Sequence, residues 1–238
     1  MSDRSFPAGW RPALRAAFPH TLPILTGYLA LGIAYGILLS AKGYGVGWAL
    51  LSSLCIYAGS MQFVAASMVT LGFHPLSACL MTLMVNARHI FYGVSMLERY
   101  RGIGKCKPYL IFGLSDETFS LVCSTDPPEG ISRSWFYLWI TLLNHSYWVA
   151  ASAIGSMIGS WISFDTAGID FVLTAMFVVI FLDQWRTTKR HGPVLIGLGA
   201  SLLCLLVLGP DDFLIPSMLL MLVIVTLFRR RLEGGEPT

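Results

Sequence analysis

The chain has 238 residues, of which 55% are hydrophobic and only 12% are charged. Soluble domains carry about 25% charged residues because their surfaces face water, so this composition excludes an ordinary soluble protein. The apolar residues form blocks whose length is close to that of a membrane-spanning helix, which needs roughly 20 residues to cross a hydrocarbon core of about 30 Å. The basic residues that give the net charge of +3 cluster at the ends of these blocks. They are interpreted as topology signals rather than as a nucleic-acid footprint.

The apolar blocks predict an all-α integral membrane protein with seven to eight hydrophobic helical segments. No connector is long enough to separate soluble domains, so a single polytopic transmembrane domain is expected over 1–238. The first segment is too long for the apolar part of a signal peptide and is interpreted as a retained helix. The approximate segments are 17–41, 46–72, 76–97, 108–124, 135–160, 169–187, 193–209 and 212–228.

The distribution of arginine and lysine predicts the orientation of the chain. The tails 1–16 and 229–238 and the basic connector after 169–187 are expected on the cytoplasmic side. Eight simple spans would place the basic connector 98–107 outside, which conflicts with this rule. One early segment is therefore expected to be broken or re-entrant. The candidates are 46–72 and 108–124, which contain polar and small residues.

A faint internal repeat relates the two halves of the sequence. The stretch 27–36 resembles 146–155, and Gln62-Phe63 resembles Gln184-Trp185. Chance similarity between apolar sequences is one explanation. The other is a structural repeat of the kind found in secondary transporters.

Four charged residues fall within the predicted segments, at Arg88, Asp116, Glu117 and Asp183. A charge at mid-bilayer costs at least about 2.5–3.5 kcal/mol on insertion scales, so each needs a partner or a wet cavity. One interpretation is that Arg88 pairs with a carboxylate on another segment and holds the two together. The other is that Arg88 is a fixed charge beside a substrate path. For Asp183, a position near the interface is an equal alternative.

The stretch Tyr57–Phe63 interrupts an apolar segment with small and polar residues. Either these residues allow close helix packing, or the helix breaks there. In a broken helix, the N-terminus of a half-helix can bind a substrate carboxylate, and freed carbonyl groups can bind an ammonium group. Asn144 and His145 form a comparable polar pair on a later segment, and Asn86 shares a helical face with His89.

These considerations give two sets of candidate site residues. The candidates for substrate binding are Tyr57, Gly59, Ser60, Gln62, Asn86, Arg88, Asp116, Glu117 and Asn144. The candidates for proton coupling are His89, Asp116, Glu117 and Asp183.

Enzymatic function is not predicted. The sequence contains neither H-E-x-x-H nor G-x-S-x-G, and no catalytic residue is assigned. A Walker A loop is also absent, so ATP hydrolysis by this chain is not expected. The five cysteines show no CxxC pair and no metal-ligand spacing, and neither a metal nor another cofactor is expected.

Several motifs occur in the order found in the AzlC family, and the chain resembles that family over most of its length. They are Gly27–Gly36, Tyr57–Phe63, Asn86–His89 with Tyr92-Gly93, Gly113–Phe119, and the run from Asn144 to Trp148 with Asp170-Phe171 and Gln184-Trp185. The resemblance implies the large subunit of a two-component exporter of branched-chain amino acids in the bacterial inner membrane. It also implies a small AzlD-type membrane protein as partner.

The function expected from this resemblance is export of leucine, isoleucine and valine, with methionine as a further substrate, driven by the proton gradient. An intramembrane carboxylate or His89 is the expected proton carrier. The main alternative is a channel-like or structural membrane subunit, and an intramembrane enzyme is a weaker one. Coupled transport should stop when the proton gradient is collapsed, whereas a channel should keep conducting.

Overall fold

The computed structural model describes residues 9–71, 75–161, 178, 181–182, 185–186, 191–209 and 213–228. The chain divides into two compact units, Met1–Leu173 and Thr174–Thr238. Within the described residues the regular structure is helical and contains no strand, which agrees with the predicted all-α class. The predicted segment 169–187 lies mostly outside these residues, as does the tail 229–238.

The seven helices of the first unit correspond to five of the predicted segments, because two of those segments are each broken into two helices. They are α1 (Trp10–Ala41), α2 (Val46–Cys55), α3 (Gly59–Leu71), α4 (Pro75–Met96), α5 (Lys107–Phe112), α6 (Asp116–Ser124) and α7 (Arg133–Trp161). A 3₁₀ turn at Gly104–Cys106 precedes α5. The second unit contains α8 (Gly192–Leu208) and α9 (Leu214–Leu227), which pack on each other. Among the helices described, α1 alone is long and apolar enough, by length and composition, to cross a membrane.

Helices α1 and α7 form a long parallel pair at the centre of the first unit. Near their starts, the indole N–H of Trp139 donates to the carbonyl oxygen of Trp10 at 3.0 Å. Further along, the hydroxyls of Thr21 and Tyr147 are 3.0 Å apart. Beyond them, Gly155 lies against the turn that contains Ile33. The contacts advance in the same direction along both helices, so the helices are parallel.

Glycine residues bring the backbones of α1 and α7 into direct contact. A Cβ atom on Gly36 would lie 2.8 Å from the carbonyl carbon of Gly155, and one on Gly155 would lie 2.6 Å from Cα of Ile33. This is the close approach that small residues permit between membrane helices. Gly36 and Gly155 occupy equivalent positions in the possible repeat, and both alternatives for that repeat stay open. Gln184, in the second part of the repeat, lies outside the described residues.

Helices α2 and α3 form a hairpin that enters from the C-terminal end of α1. On one arm, the Ser52 hydroxyl is 2.8 Å from the hydroxyl of Tyr35. On the other arm, the Phe63 ring packs edge-on against the Tyr35 ring at 5.4 Å. The chain turns between them at Ile56–Ala58, where Tyr57 has φ of 44° in the left-handed region. The predicted segment 46–72 is therefore a broken helix.

Helices α5 and α6 form a second hairpin, which enters from the opposite end. Before α5, the carbonyl oxygen of Ile103 accepts from the Ser134 hydroxyl at 3.1 Å. After α6, Asp126 pairs with Arg99 at 2.7 Å. Both arms therefore start and finish beside the beginning of α7. The chain turns at 113–115, so the predicted segment 108–124 is also broken.

The two hairpins explain the conflict at the connector 98–107. Tyr100 and Ile103 share one buried cluster with Ala17 near the start of α1 and Phe136 near the start of α7. The basic connector thus lies at the same end of the unit as the start of α1. One irregular early segment was expected, whereas the structure breaks both candidates. Each hairpin returns to the end of the unit from which it entered. Of the described helices that lie between α1 and α7 in the sequence, α4 alone therefore runs from one end of the unit to the other.

The α1–α7 contact yields a prediction about stability. Gly155→Ala should lower the thermal stability of the detergent-solubilised protein, by an amount on the order of 1–3 kcal/mol, because the added methyl group overlaps the backbone of α1. Gly27→Ala is the control, since a Cβ atom there would meet nothing within 4 Å. Equal melting temperatures for the two variants would contradict the close contact.

Candidate functional site

The turns of the two hairpins meet halfway along α1 and α7. The Tyr57 ring, in the turn between α2 and α3, lies 4.3 Å from the His145 ring of α7. The Ser115 hydroxyl, in the turn between α5 and α6, lies 2.8 Å from the hydroxyl of Tyr28 on α1. The N-termini of α3 and α6 and the C-termini of α2 and α5 therefore lie in one region. Most of the polar residues predicted from the sequence are gathered there.

The start of α3 is fixed against α7 by a buried tryptophan. The Trp148 indole N–H donates to Oε1 of Gln62 at 2.9 Å, and Nε2 of Gln62 donates to the Ser53 hydroxyl at 3.3 Å. A Cβ atom on Gly59 would lie 3.0 Å from the Trp148 ring, so the first residue of α3 has to be small. Gln62 and Gly59 thus position the helix start, and both ends of the Gln62 amide are bound to protein groups.

An ion pair joins α4 to the start of α6. Arg88 donates through Nη2 to Oδ2 of Asp116 at 2.8 Å and to the Ser60 hydroxyl at 3.1 Å. This confirms the predicted pairing of Arg88 with a carboxylate from another segment. The pairing leaves Nε of Arg88 and Oδ1 of Asp116 buried without a hydrogen-bond partner in the described part of the chain. The pair therefore retains one unpaired donor and one unpaired acceptor, and both of these atoms are buried.

The first turn of α6 is held by hydroxyl and amide groups. The Ser115 hydroxyl caps the helix by accepting from the Thr118 backbone N–H at 3.2 Å. The next carboxylate, Glu117, accepts at Oε2 from the Tyr28 hydroxyl at 2.8 Å. On the other side, Nδ2 of Asn144 donates to the Thr118 hydroxyl at 3.1 Å. Glu117 and Asn144 were both predicted as site residues. They are connected here through Tyr28, Ser115 and Thr118, which were not predicted.

His145 bridges the two hairpins from α7. Its Nδ1 is 2.9 Å from the Tyr109 hydroxyl on α5, and its Nε2 is 3.1 Å from the carbonyl oxygen of Ser53 on α2. That carbonyl is available because the N–H of Tyr57 bonds to Ser52 instead, where the helix ends. The freed carbonyl expected from a helix break is thus present, and a histidine side chain occupies it.

The residues that the sequence analysis missed as site members supply hydroxyl groups, an imidazole and an indole. They are Tyr28, Ser115, Thr118, His145 and Trp148. Ser115 had a local signal in the sequence, because serine is a preferred residue at the N-cap of a helix. Its hydroxyl there accepts a hydrogen bond from the backbone N–H three residues later, which is that of Thr118. Tyr28 had no such signal, since a tyrosine in an apolar run is ordinarily a packing residue.

Two predicted residues, Asn86 and His89, have no hydrogen bond to this cluster in the part of the chain that the structure describes. The His89 imidazole is 3.3 Å from the carbonyl oxygen of Asn86 within α4, and its ring lies edge-on to Tyr92 at 5.5 Å. The side-chain oxygen of Asn86 is buried without a partner in the described helices. Asp183 lies outside the described residues. Their predicted roles stay predictions.

The composition, the helical architecture and the two central hairpins define the chain as an all-helical membrane protein. The profile of the AzlC protein family matches residues 23–162, which include both hairpins and the whole cluster. The chain therefore belongs to the AzlC family, a family of membrane transport proteins.

Relatives of the chain are found in several bacteria. It is 50% identical to the branched-chain amino acid transport protein AzlC of Bacillus subtilis, over 94% of this chain and 88% of that protein. It is 43% identical to an uncharacterized membrane protein of Haemophilus influenzae, over 93% and 91% of the two chains. It is 30% identical to the inner membrane protein YgaZ of Escherichia coli, over 70% and 71%. No solved structure matches the chain.

The Arg88–Asp116 pair gives a prediction for paired substitutions. Arg88→Gln and Asp116→Asn should each destabilise the protein, because each leaves a half-buried charge unpaired. The double variant should be more stable than either single variant, as measured by thermal unfolding in detergent. As a control, Arg99→Gln should change stability by no more than about 1 kcal/mol, since its partner Asp126 is exposed. Additive losses in the double variant would contradict the pairing.

Proposed function

We propose that the chain exports branched-chain amino acids across the bacterial inner membrane, as the large subunit of a complex with a small AzlD-type membrane protein. Leucine, isoleucine and valine are the main substrates, and methionine is a further one. The Arg88–Asp116 pair, at the meeting point of two broken helices, is the observation that carries this proposal. The similarity to a relative named for branched-chain amino acid transport supports the substrate class.

The ion pair is complementary to a zwitterion. A substrate carboxylate can accept from Nε of Arg88, the donor that the ion pair leaves unused. The first backbone N–H groups of α3, from Gly59 onward, also lack partners within their helix and add the positive end of its dipole. The substrate ammonium group can donate to Oδ1 of Asp116, which is likewise unused. Both charged groups of an amino acid thus find a partner without the ion pair having to break.

An apolar surface adjoins these groups. The rings of Tyr92 and Phe119 stack at 4.2 Å, with Tyr92 one turn beyond Arg88 on α4 and Phe119 one turn beyond Asp116 on α6. This stacked pair gives a branched aliphatic side chain a flat apolar surface beside the polar groups. A substrate side chain with a hydroxyl or a charge would lose its hydration on this surface without gaining a hydrogen-bond partner. The surface therefore favours binding of amino acids with apolar side chains.

The opposite entry of the hairpins suits alternating access. The α5–α6 hairpin separates the site from the end of the unit that carries the basic connector 98–107, the predicted cytoplasmic end. The α2–α3 hairpin separates it from the other end. If one hairpin moved away from the site while the other stayed in place, the site would open to one side of the membrane only. Coupling this movement to proton entry would drive export.

The alternative of a channel-like subunit makes a different prediction. A channel has to hold a continuous path open, whereas here the α2–α3 turn packs against the middle of α7 through Tyr57 and His145. Export that stops with an uncoupler would argue against a channel, and a sustained conductance would favour one.

The test is efflux of labelled leucine from cells loaded with a leucine dipeptide, with and without this chain and its small partner. We expect faster efflux only when both chains are present, and loss of this gain when an uncoupler is added. Arg88→Gln should abolish the gain, because the carboxylate loses its donor, whereas Arg99→Gln should keep it. Unchanged efflux with both chains present in the membrane would show that the substrate class is wrong.

A further inference from the structure

A second internal similarity relates the stretch α1–α3 to the stretch α4–α6. Three features recur in the same order and at nearly the same spacing. They are a tyrosine followed by a glycine, two glycines around a β-branched residue that begin ten residues after the tyrosine, and a phenylalanine 28 or 27 residues after it. The matched positions are Tyr35-Gly36 with Tyr92-Gly93, Gly45-Val46-Gly47 with Gly102-Ile103-Gly104, and Phe63 with Phe119.

The three-dimensional structure repeats along with the sequence. The Tyr35 ring of α1 packs on Phe63 of α3 at 5.4 Å, and the Tyr92 ring of α4 packs on Phe119 of α6 at 4.2 Å. Each stretch is a long helix followed by a hairpin that enters from the C-terminal end of that helix. Since α4 runs antiparallel to α1, the two stretches are repeats of inverted topology, an arrangement common in secondary transporters.

The repeat assigns to α4 a face that corresponds to the α7-binding face of α1. On α1, Gly155 of α7 lies against the backbone of Ile33 and Gly36, and Gly159 of α7 lies against Cα of Ile37. The corresponding residues of α4, counted from the matched Tyr-Gly pairs, are Ile90, Gly93 and Val94.

This face of α4 is open in the described part of the chain. A Cβ atom on Gly93 would meet nothing within 4 Å, and the side chains of Ile90 and Val94 are 66% and 63% exposed. Helix α4 packs on α3 and, through Arg88 and Tyr92, on α6. Arg88 lies about 140° around the helix from Gly93, so these contacts leave the Gly93 side uncovered.

Lipid would suit Ile90 and Val94 but not the rest of this side of α4. Asn86 and His89 lie seven and four residues before Gly93, which places them on the same side of the helix. Polar side chains in a membrane segment need partners, yet the side-chain oxygen of Asn86 has none among the described residues. Glycine gains nothing from lipid, whereas it lets another helix approach closely. The five residues, here called the Gly93 face, therefore have the composition of a helix-binding surface.

We propose that the Gly93 face of α4 binds a transmembrane helix of the small membrane subunit. This inference rests on the proposed function, since it names where the partner of the same complex binds. The described residues leave the face open, and the proposed complex supplies a second membrane chain whose helices need a surface on this one. By the inverted repeat, the bound helix runs antiparallel to α7, with small residues where it crosses Gly93 and a polar group that reaches Asn86.

This interface would act on the candidate site through α4. The same helix carries Arg88 on its other side, where Arg88 pairs with Asp116 of α6. Helix α7 holds α1 in place through glycine contacts, and the helix of the small subunit would hold α4 in the corresponding way. Without it, the position of Arg88 would depend on α3 and α6 alone, which explains why export is expected to need both chains.

The first test is co-purification of the small subunit with a tagged form of this chain. Gly93→Leu should reduce the recovered small subunit by about tenfold, because a large side chain holds the two helices apart. Gly27→Leu is the matched control, since Gly27 is also open in a long helix, and it should leave recovery unchanged. When purified alone, the Gly93→Leu chain should melt at the temperature of wild type, because the new side chain has free space. Full recovery with Gly93→Leu would overturn the inference.

The second test is photo-crosslinking with p-benzoylphenylalanine in place of Ile90, and in place of the exposed Leu22 of α1 as control. We expect an adduct with the small subunit at position 90 and none at position 22. An adduct at position 90 to another part of this chain, to a second copy of it, or to lipid alone would overturn the inference, even if leucine efflux still needs both chains. If wild type does not bind the small subunit at all, the proposed two-chain complex fails and the docking surface fails with it.

Discussion

The contact between Gly36 of α1 and Gly155 of α7 is the constraint on which the rest of the first unit depends. Backbone contact brings two long helices together over their C-terminal halves, where any larger residue would force them apart. Nearer their starts, tyrosine and tryptophan side chains replace glycine at the interface, as in the pairing of Trp139 with Trp10. Both hairpins pack on this pair, and their turns meet at the level where α1 presents Tyr28. The site thus lies at the level of α1 and α7 where the glycine contacts end and polar side chains begin.

Four helix ends at the centre of an apolar protein would be costly unless their backbone groups had partners. The structure supplies these partners from side chains rather than from neighbouring strands or loops. Ser115 caps α6, and His145 binds the carbonyl oxygen of Ser53 that the end of α2 leaves free.

The sequence predicted that one of 46–72 and 108–124 is interrupted, because small and polar residues in an apolar run conflict with a continuous membrane helix, whereas the structure interrupts both. One of its two interpretations of Arg88 was a pair with Asp116 or Glu117, since charges in a membrane segment need partners, and the structure gives Asp116 as the partner. The sequence could not show that both segments are hairpins. An interrupted helix that crosses the membrane and a hairpin that returns to its starting side have the same amino-acid composition. Tyr28 escaped prediction for a related reason. Its role comes from its hydroxyl, which reaches a residue 89 positions away, whereas its ring fits the apolar pattern of α1.

Two adjacent carboxylates at the start of one helix contact different helices because of helix geometry. Consecutive residues point in directions about 100° apart, so Asp116 turns toward α4 while Glu117 turns toward α1. Asp116 meets the fixed charge of Arg88. Glu117 accepts a hydrogen bond from the Tyr28 hydroxyl. A single turn of α6 is therefore tied to α4 on one side and to α1 on the other. Since both side chains belong to one turn, any movement of that turn displaces the ion pair and the tyrosine contact together.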